Sequence, residues 1–115
     1  MQHYMNLHND PFEKIKNGTK TVEMRLFDNK RRAINVHDTI TFTNVLNGEQ
    51  LTAQVTDIRT FATFGELYNA FDKVSIGYNL QDVANPNDMH AYYTAEQIAK
   101  FDVVAICVKL CQNSI

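Results

Sequence analysis

Residues 17–26 combine a turn signal with a strict alternation, and this combination restricts the segment to a half-buried β-strand. The turn signal is Asn17-Gly18, after which polar and apolar side chains alternate. Three apolar residues face one side of the strand and require a core: Val22, Met24 and Leu26. Lys20 stands at the start of the strand, and the opposite side carries a hydroxyl, a carboxylate and a guanidinium, those of Thr21, Glu23 and Arg25. This polar face is either a binding site or a solvated face, whose Glu/Arg pair would stabilise the fold by at most about 1 kcal/mol.

The size and composition of the chain indicate one globular domain over residues 1–115. Of its 115 residues, 44% are hydrophobic and 21% are charged, and a chain of this kind can bury a single core without disulfides or metals. No apolar run approaches the roughly 18 residues that a membrane-spanning helix needs. The first residues lack the basic and apolar segments of a signal peptide. We therefore expect a cytoplasmic protein without a membrane partner, while the sequence does not indicate its oligomeric state.

The cysteines and histidines give no indication of a disulfide or a metal site. Cys107 and Cys111 lie four residues apart, which in a strand separates them by about 13 Å, too far for a disulfide. We expect both thiols to be reduced. The histidines at positions 3, 8, 37 and 90 do not show the spacing of metal ligands. We therefore predict no metal and no cofactor.

The charges are distributed unevenly along the chain. The formal net charge is −2, but residues 1–32 hold seven Lys/Arg and four Asp/Glu, whereas residues 33–115 hold four Lys/Arg and nine Asp/Glu. A mildly acidic protein is a poor candidate for a large footprint on duplex nucleic acid, because that affinity depends on the number of phosphates neutralised. A small basic patch on an acidic body suits a nucleotide, a nucleoside or a short single strand better.

Alternation predicts five strands, and hydrophobic periodicity predicts three short helices. The expected strands cover residues 3–7, 21–26, 39–43, 49–59 and 103–110. The expected helices cover residues 11–16, 63–71 and 94–100, with Asn9 or Asp10, Thr63 and Thr94 as their caps. We expect a loop or short helical turn at 27–35, a helical turn at 79–84 within the otherwise unassigned segment 72–89, and a frayed tail from residue 112.

These elements predict an α+β fold that is mainly β. Helices do not alternate with strands along the chain, which argues against a doubly wound parallel sheet. We expect a small, mostly antiparallel β-barrel of about five or six strands with peripheral short helices, in which the long strand 49–59 bends.

The stretch Gly18-x-Lys20-x-x-Glu23-x-Arg25 resembles the Gly-x-Lys-x-x-Glu-x-Arg motif of ASCH domains, which are members of the PUA-like superfamily. Ile34-x-Val36-His37-Asp38-x-Ile40-x-Phe42 is similar to the family's Ile-x-x-Gly-Asp-x-Ile-x-Phe stretch, and Phe64-x-Glu66-Leu67 follows it. Tyr92-Tyr93-Thr94-x-Glu96 before Val103–Ile106 resembles the small bacterial members. The resemblance spans nearly the whole chain. His37 stands where the family usually has Gly, and we expect it to make that turn at modest cost without a catalytic role.

The resemblance implies a PUA-like barrel with a ligand cleft beside the motif strand and an RNA-related role. We therefore predict a domain that binds RNA, a nucleoside or a nucleotide. Lys20 and Arg25 would contact phosphate or carbonyl oxygens, and Glu23 would accept from an exocyclic amine. Two tyrosines could stack a base or simply pack at the rim. The candidate ligand-binding residues are Lys20, Thr21, Glu23, Arg25, Arg31, Arg32, Tyr92 and Tyr93; residues 30–32 are otherwise a solvated charged face.

Two alternatives remain open. One branch of the family hydrolyses the acetyl amide of N4-acetylcytidine with the motif Lys, a Thr three residues later and a distal Glu. Here Glu23 stands at the Thr position, and residues 67–95 contain no Glu. An amidohydrolase acting on an N4-acylated cytidine-type nucleoside would therefore have Lys20 and Glu23 as its catalytic residues. The second alternative is a protein-interaction or regulatory domain, in which Glu23 and Arg25 hold the mouth of the barrel.

Overall fold

The computed structural model describes residues 1–111, and the predicted fraying from residue 112 lies outside them. The strands are β1 (Gln2–Leu7), β2 (Val22–Leu26), β3 (Thr39–Asn44), β4 (Gln50–Phe61) and β5 (Val103–Leu110). The α-helices are α1 (Asn9–Lys16), α2 (Asn29–Arg32), α3 (Phe64–Ala70) and α4 (Ala95–Phe101), and a 3₁₀ helix covers Pro86–Ala91. Within the described residues, none of the helices is both long and apolar enough to cross a membrane.

The five strands form one curled sheet in the order β1-β3-β4-β5-β2. The β1/β3 pair is parallel, and the three other pairs are antiparallel. The register of β4 against β5 shifts between Val55 and Asp57, and such a bulge bends a strand. The sheet therefore closes into a half-barrel whose two edge strands are β1 and β2. The predicted α+β, mainly β, mostly antiparallel barrel-like fold is confirmed.

Both faces of the sheet carry a hydrophobic core. The first core lies inside the curl and consists of Met5, Leu7, Phe12, Ile15, Ile34, Ile40, Phe42, Ala53, Val55, Val104, Ile106 and Val108. The second lies on the other face, under α3 and the 3₁₀ helix, and consists of Val22, Met24, Leu26, Phe64, Leu67, Ile76, Met89, Val103 and Ala105. Successive residues of β5 point alternately into the two cores. This strand therefore lies between two apolar layers, which explains its nearly continuous apolar sequence.

The helix starts confirm two of the three predicted caps. Thr63 accepts a hydrogen bond from the backbone of α3, and Thr94 forms a capping box with Gln97 at the start of α4. The prediction for α1 is wrong, because the residue before the helix is His8, which makes no side-chain cap. Asn9 lies inside the helix, and its Oδ1 accepts instead from Asn44 Nδ2 at 2.9 Å. This bond ties α1 to the end of β3.

The turn before β3 has the backbone strain that its sequence predicts. His37 is exposed and has a φ of +80°, so it occupies the left-handed conformation that favours Gly. Asp38 follows, and its Oδ2 accepts from the Asn35 N–H and lies 2.9 Å from His3 Nε2. These contacts join the turn to β1.

Residues 72–89, which the sequence left largely unassigned, fold over the start of β2. Ser75 O accepts from the N–H groups of Thr21 and Val22, both at 3.0 Å, so this segment continues the sheet edge. The helical turn expected at 79–84 is absent; Asp82 N–H and Asn79 O close a single turn there. The helical part of the segment is the 3₁₀ helix that follows.

Candidate ligand-binding cleft

A cleft of about 410 Å³ opens at the seam between the two edge strands, β1 and β2. Its volume falls within the range of small-molecule sites. Three walls surround it: the end of β1 with the start of α1, the polar side of β2, and the segment from α3 to the 3₁₀ helix. The lining residues are Asn6, Leu7, His8, Asp10, Pro11, Lys20, Glu23, Met24, Arg25, Tyr68, Ile76, Gly77, Tyr78, Asp88, Met89, Tyr92 and Tyr93.

The floor of the cleft is a buried ion network of three residues from the motif strand. Lys20 Nζ donates to Glu23 Oε1 at 3.0 Å, and Arg25 Nη2 donates to Glu23 Oε2 at 3.0 Å. The side chains of Lys20, Glu23 and Arg25 are only 7%, 5% and 17% exposed. Arg25 Nη2 also donates to Asn6 O at 2.9 Å, so the guanidinium joins β2 to β1 across the seam. The interpretation of this face as solvated is therefore wrong.

The curl of the sheet explains why this polar side is buried. Glu23 is the register partner of Ile106, and cross-strand partners point to the same face. Since Ile106 belongs to the core inside the curl, Glu23 points into the same interior, at its open end. The pKa of Glu23 reflects two opposing effects. Burial raises it, but the charges and hydrogen bonds of Lys20 and Arg25 outweigh burial and hold it below its ordinary value.

The floor presents hydrogen-bond donors to a ligand. A carboxylate has about four acceptor positions, and Glu23 uses four: Oε1 accepts from Lys20 Nζ and the Met24 N–H, and Oε2 accepts from Arg25 Nε and Nη2. The ammonium has three N–H groups and the guanidinium five, more than these bonds use. Two cations against one carboxylate also leave a net positive charge. The floor therefore suits an anion or a carbonyl oxygen.

Two tyrosines predicted from the sequence line one wall of the cleft. Tyr93 stacks on Phe64, with ring centroids 6.0 Å apart and an interplanar angle of 10°, and burial raises the pKa of its hydroxyl. Tyr92 is 63% exposed and lies 6.5 Å from Tyr93, centroid to centroid. Tyr93 is thus fixed by packing, whereas the ring of Tyr92 is accessible to a planar ligand.

The cleft is also lined by three groups that the sequence did not indicate. The hydroxyls of Tyr68 and Tyr78 lie 2.9 Å apart, and Tyr78 donates to Asp88 Oδ2 at 2.7 Å. Burial is the main cause that raises the pKa of both phenols, so they stay protonated at neutral pH. Tyr78 and Asp88 belong to the unassigned segment 72–89, and tertiary contacts of that segment, among them the bond of Tyr78 to Tyr68 on α3, bring them to the cleft. Tyr68 lies on the apolar stripe that predicts helix 63–71, and this position indicates packing, not a binding site.

Three of the predicted site residues do not line the cleft. Thr21 is exposed and interacts through its backbone with Ser75 and Val108. Arg31 pairs with Asp28 at 3.0 Å. Arg32 is exposed, and its guanidinium lies 4.3 Å from the centroid of the Phe27 ring. Of the predicted site residues, the cleft therefore brings together Lys20, Glu23, Arg25, Tyr92 and Tyr93. Arg31 and Arg32 lie outside it.

No group of three or more His, Cys, Asp or Glu side chains that could hold a metal ion occurs within residues 1–111. Cys107 and Cys111 are free thiols, the first half-buried and the second exposed. Burial raises the pKa of the Cys107 thiol, which makes it a weak nucleophile at neutral pH.

Comparison with known proteins places the chain among domains of the same fold. The crystal structure of the hypothetical protein PH0355 superimposes with a TM-score of 0.82 and 30% identity, covering 96% of this chain and 100% of that chain. The solution structure of protein PF0455 from Pyrococcus furiosus superimposes with a TM-score of 0.71 and 30% identity, covering 98% of this chain and 100% of that chain. The ASCH domain of Lactobacillus crispatus shares the fold, with a TM-score of 0.67, 12% identity, and 95% and 79% covered.

Sequence similarity to curated proteins adds no function, since none of them matches the chain significantly. The family profile described as "ASCH domain" matches residues 5–111. This range includes the motif strand, the cleft and all strands of the sheet except the start of β1. The chain therefore belongs to the ASCH domain family.

Proposed function

We propose that the cleft binds a nucleoside, a nucleotide or one nucleotide of an RNA strand. The observation that carries this proposal is the ion network at the floor, which combines burial, a net positive charge and spare donors in a cleft of about 410 Å³. Lys20 and Arg25 would donate to a phosphate or carbonyl oxygen. The exposed ring of Tyr92 would stack a base, a contact that contributes about 1–3 kcal/mol. Tyr93, held against Phe64, would form the fixed wall beside it.

The state of Glu23 supports binding rather than amide hydrolysis. A general base needs an accessible lone pair and a pKa near the working pH. Both oxygens of Glu23 are engaged by donors, and the cations hold its pKa below the ordinary value. Its carboxylate is also the hydrogen-bond partner of Lys20 Nζ. Hydrolysis of an N4-acylated cytidine by Lys20 and Glu23 would require this network to separate.

The bond from Arg25 to Asn6 O gives the structural alternative some support, because it holds the mouth of the half-barrel. Variants of the floor would change both folding and binding, so they cannot separate the alternatives. A variant of Tyr92 can separate them, because this residue is 63% exposed and its hydroxyl makes no hydrogen bond to the part of the chain that the structure describes. Tyr4 is equally exposed at 63% and lies on β1 away from the cleft lining, which makes it a matched control.

The first experiment is a thermal-shift titration with nucleosides, nucleoside monophosphates and short single-stranded RNAs. A ligand at 100 times its dissociation constant stabilises the folded state by about 2.7 kcal/mol, which gives a measurable shift in Tm. We expect Tyr92→Ala to weaken binding by about 5- to 150-fold and Tyr4→Ala to leave it unchanged.

Two results would contradict the proposal. One is the absence of a shift with every compound, which would favour a protein-interaction domain. The other is equal affinity of Tyr92→Ala and the wild-type protein. The same samples incubated with N4-acylated cytidine measure hydrolysis directly, and release of the acyl group would replace the binding proposal by the amidohydrolase alternative.

A further inference from the structure

The three carboxylates that line the cleft differ in their partners. Asp10 is paired with Lys14 at 3.0 Å, and Glu23 is paired with two cations of the floor. Asp88 has no cationic partner within the described residues. Its one side-chain contact is the hydrogen bond from the neutral Tyr78 hydroxyl to Oδ2. Asp88 is exposed, so water solvates its charge, and it is the one of these three carboxylates without a cationic partner.

The hydroxyl chain fixes Asp88 as a hydrogen-bond acceptor. A phenol has one proton to donate, and Tyr78 directs its proton to Asp88 Oδ2 at 2.7 Å. The oxygen of Tyr78 then accepts from Tyr68 at 2.9 Å. Tyr78 OH also lies 3.2 Å from Asn85 O, which ties the chain to the start of the 3₁₀ helix. Oδ1 of Asp88 makes no hydrogen bond to another residue of the described part, so it is free to accept from a ligand.

Three acceptors near the floor are already engaged. Asn6 O accepts from Arg25, and Gly77 O accepts from Lys14 Nζ at 2.8 Å. Glu23 has four donors, as described above. The cleft thus has a donor-rich, positive floor and an acceptor, Asp88, on the wall of Tyr68 and Tyr78. A ligand that matches both must carry an anion or carbonyl at one end and a hydrogen-bond donor at the other.

We infer that the cleft selects nucleotides whose base bears an exocyclic amine, with Asp88 accepting from that amine while Lys20 and Arg25 bind a phosphate or carbonyl oxygen. This inference rests on the proposed function and names its substrate class. Carboxylates accept well from amines of bases, and a base with a carbonyl in place of the amine would place a lone pair against Asp88. Tyr78 is a positioning residue, because it touches Asp88 and holds its carboxylate in place.

Two pairs of ligands test the inference: AMP against IMP, and CMP against UMP. Within each pair a carbonyl replaces the exocyclic amine, and the adjacent ring nitrogen changes from an acceptor to an N–H donor. We expect the wild-type protein to bind the amine-bearing member about tenfold or more tightly, the effect of one hydrogen bond to a charged group. Asp88→Asn should lower the affinity for AMP and CMP. It should leave the affinity for IMP and UMP unchanged or raise it, because the amide of Asn can donate to the carbonyl. Tyr78→Phe should reduce the ratio of the affinity for AMP to the affinity for IMP, because Asp88 can then move. The affinity for IMP should change little.

Glu96→Gln is the matched control. Glu96 is exposed on α4 and does not line the cleft, so this variant makes the same change in charge and should keep the wild-type ratios. Equal affinities within both pairs for the wild-type protein would overturn the inference but leave the nucleotide proposal intact. An unchanged ratio in Asp88→Asn would also overturn it. Failure of all four nucleotides to bind would overturn the proposed function itself, and the inference with it.

Discussion

Glu23 shows how the motif keeps charged residues in the interior of a small domain. Its carboxylate side chain is 5% exposed, yet two cations and one backbone N–H satisfy it. Removing charges from water is costly, and such a network only compensates this cost while it is complete. A network of this kind contributes little to stability compared with apolar packing, but the loss of one member leaves an uncompensated buried charge.

We predict that Glu23→Ala destabilises the fold by about 3–5 kcal/mol, because it leaves the buried Lys20 ammonium without its partner. Urea denaturation monitored by circular dichroism measures the free energy of unfolding. The control is Glu49→Ala. Glu49 pairs with Lys16 at 2.6 Å, but these side chains are 38% and 50% exposed, so its loss should cost less than about 1 kcal/mol. Equal losses for the two variants would contradict the burial argument.

The sequence predicted which residues form the floor, but it did not predict their environment. The period-2 pattern assigned Glu23 and Arg25 to the polar side of β2, which is correct. The pattern does not show that the sheet curls so that this side faces an interior, since curl depends on the register of Glu23 against Ile106 and on the bulge in β4. The alternation of residues shows which side chains share one face of a strand, whereas the burial of that face depends on the tertiary structure.

Segment 72–79 is the element that completes the cleft, and long-range contacts hold it there. Lys14 Nζ donates to Gly77 O, 63 residues away, and Ser75 O accepts from the start of β2. A segment fixed by distant partners has no local periodicity, which is why the sequence assigned it no structure. The five strands, by contrast, each have a local pattern, and the predicted bounds agree with the structure to within about two residues.

We predict that Gly77→Ala both destabilises the protein and weakens nucleotide binding. Gly77 has a φ of +117°, and an added Cβ would lie 3.4 Å from Lys20 Cδ. The methyl group itself fits, but side-chain-bearing residues rarely adopt this φ, so we expect a cost of about 1–3 kcal/mol. Relief of this strain would shift the segment over Lys20 and lower the affinity.

The control for that prediction is Gly48→Ala in the turn between β3 and β4. Gly48 has a φ of +77° and open space around the position of an added Cβ, so this variant should cost about 1–2 kcal/mol and leave nucleotide affinity unchanged. Thermal melting and titration of both variants with the same nucleotide provide the comparison. If Gly77→Ala retains wild-type affinity, the segment does not position Lys20.

At the scale of the whole molecule, the fold depends on the contacts that hold the ends of the sheet. β1 stands first in the strand order and is therefore an edge strand. Side chains secure both of its ends: Arg25 donates to Asn6 O at the cleft, and His3 contacts Asp38 at the other end. The mainly β architecture follows from the strand patterns. The parallel pairing of β1 with β3 does not follow from those patterns. Which strands pair depends on how the two cores assemble, and the residues of these cores come from all parts of the chain.

The second of these contacts makes stability depend on acid pH. The hydrogen bonds from His3 and the Asn35 N–H hold the pKa of Asp38 well below its ordinary value of 3.8. The unfolded chain therefore binds a proton at a higher pH than the folded protein does. The stability that this carboxylate contributes is present in full above about pH 5 and is lost as the pH falls below about 4 toward the folded-state pKa. Glu23, whose pKa is also lowered, acts in the same direction.

We therefore predict that Asp38→Asn lowers the urea midpoint at pH 7 and that its difference from the wild-type protein shrinks steadily between about pH 4 and pH 2. The variant keeps an acceptor for the Asn35 N–H but has no charge to lose. Glu96→Gln, which removes an exposed carboxylate of α4, should follow the wild-type midpoint at every pH. A difference between Asp38→Asn and the wild-type protein that stayed constant down to pH 2 would show that the carboxylate stabilises the β1 edge by its shape and hydrogen bonds, and that its charge contributes nothing.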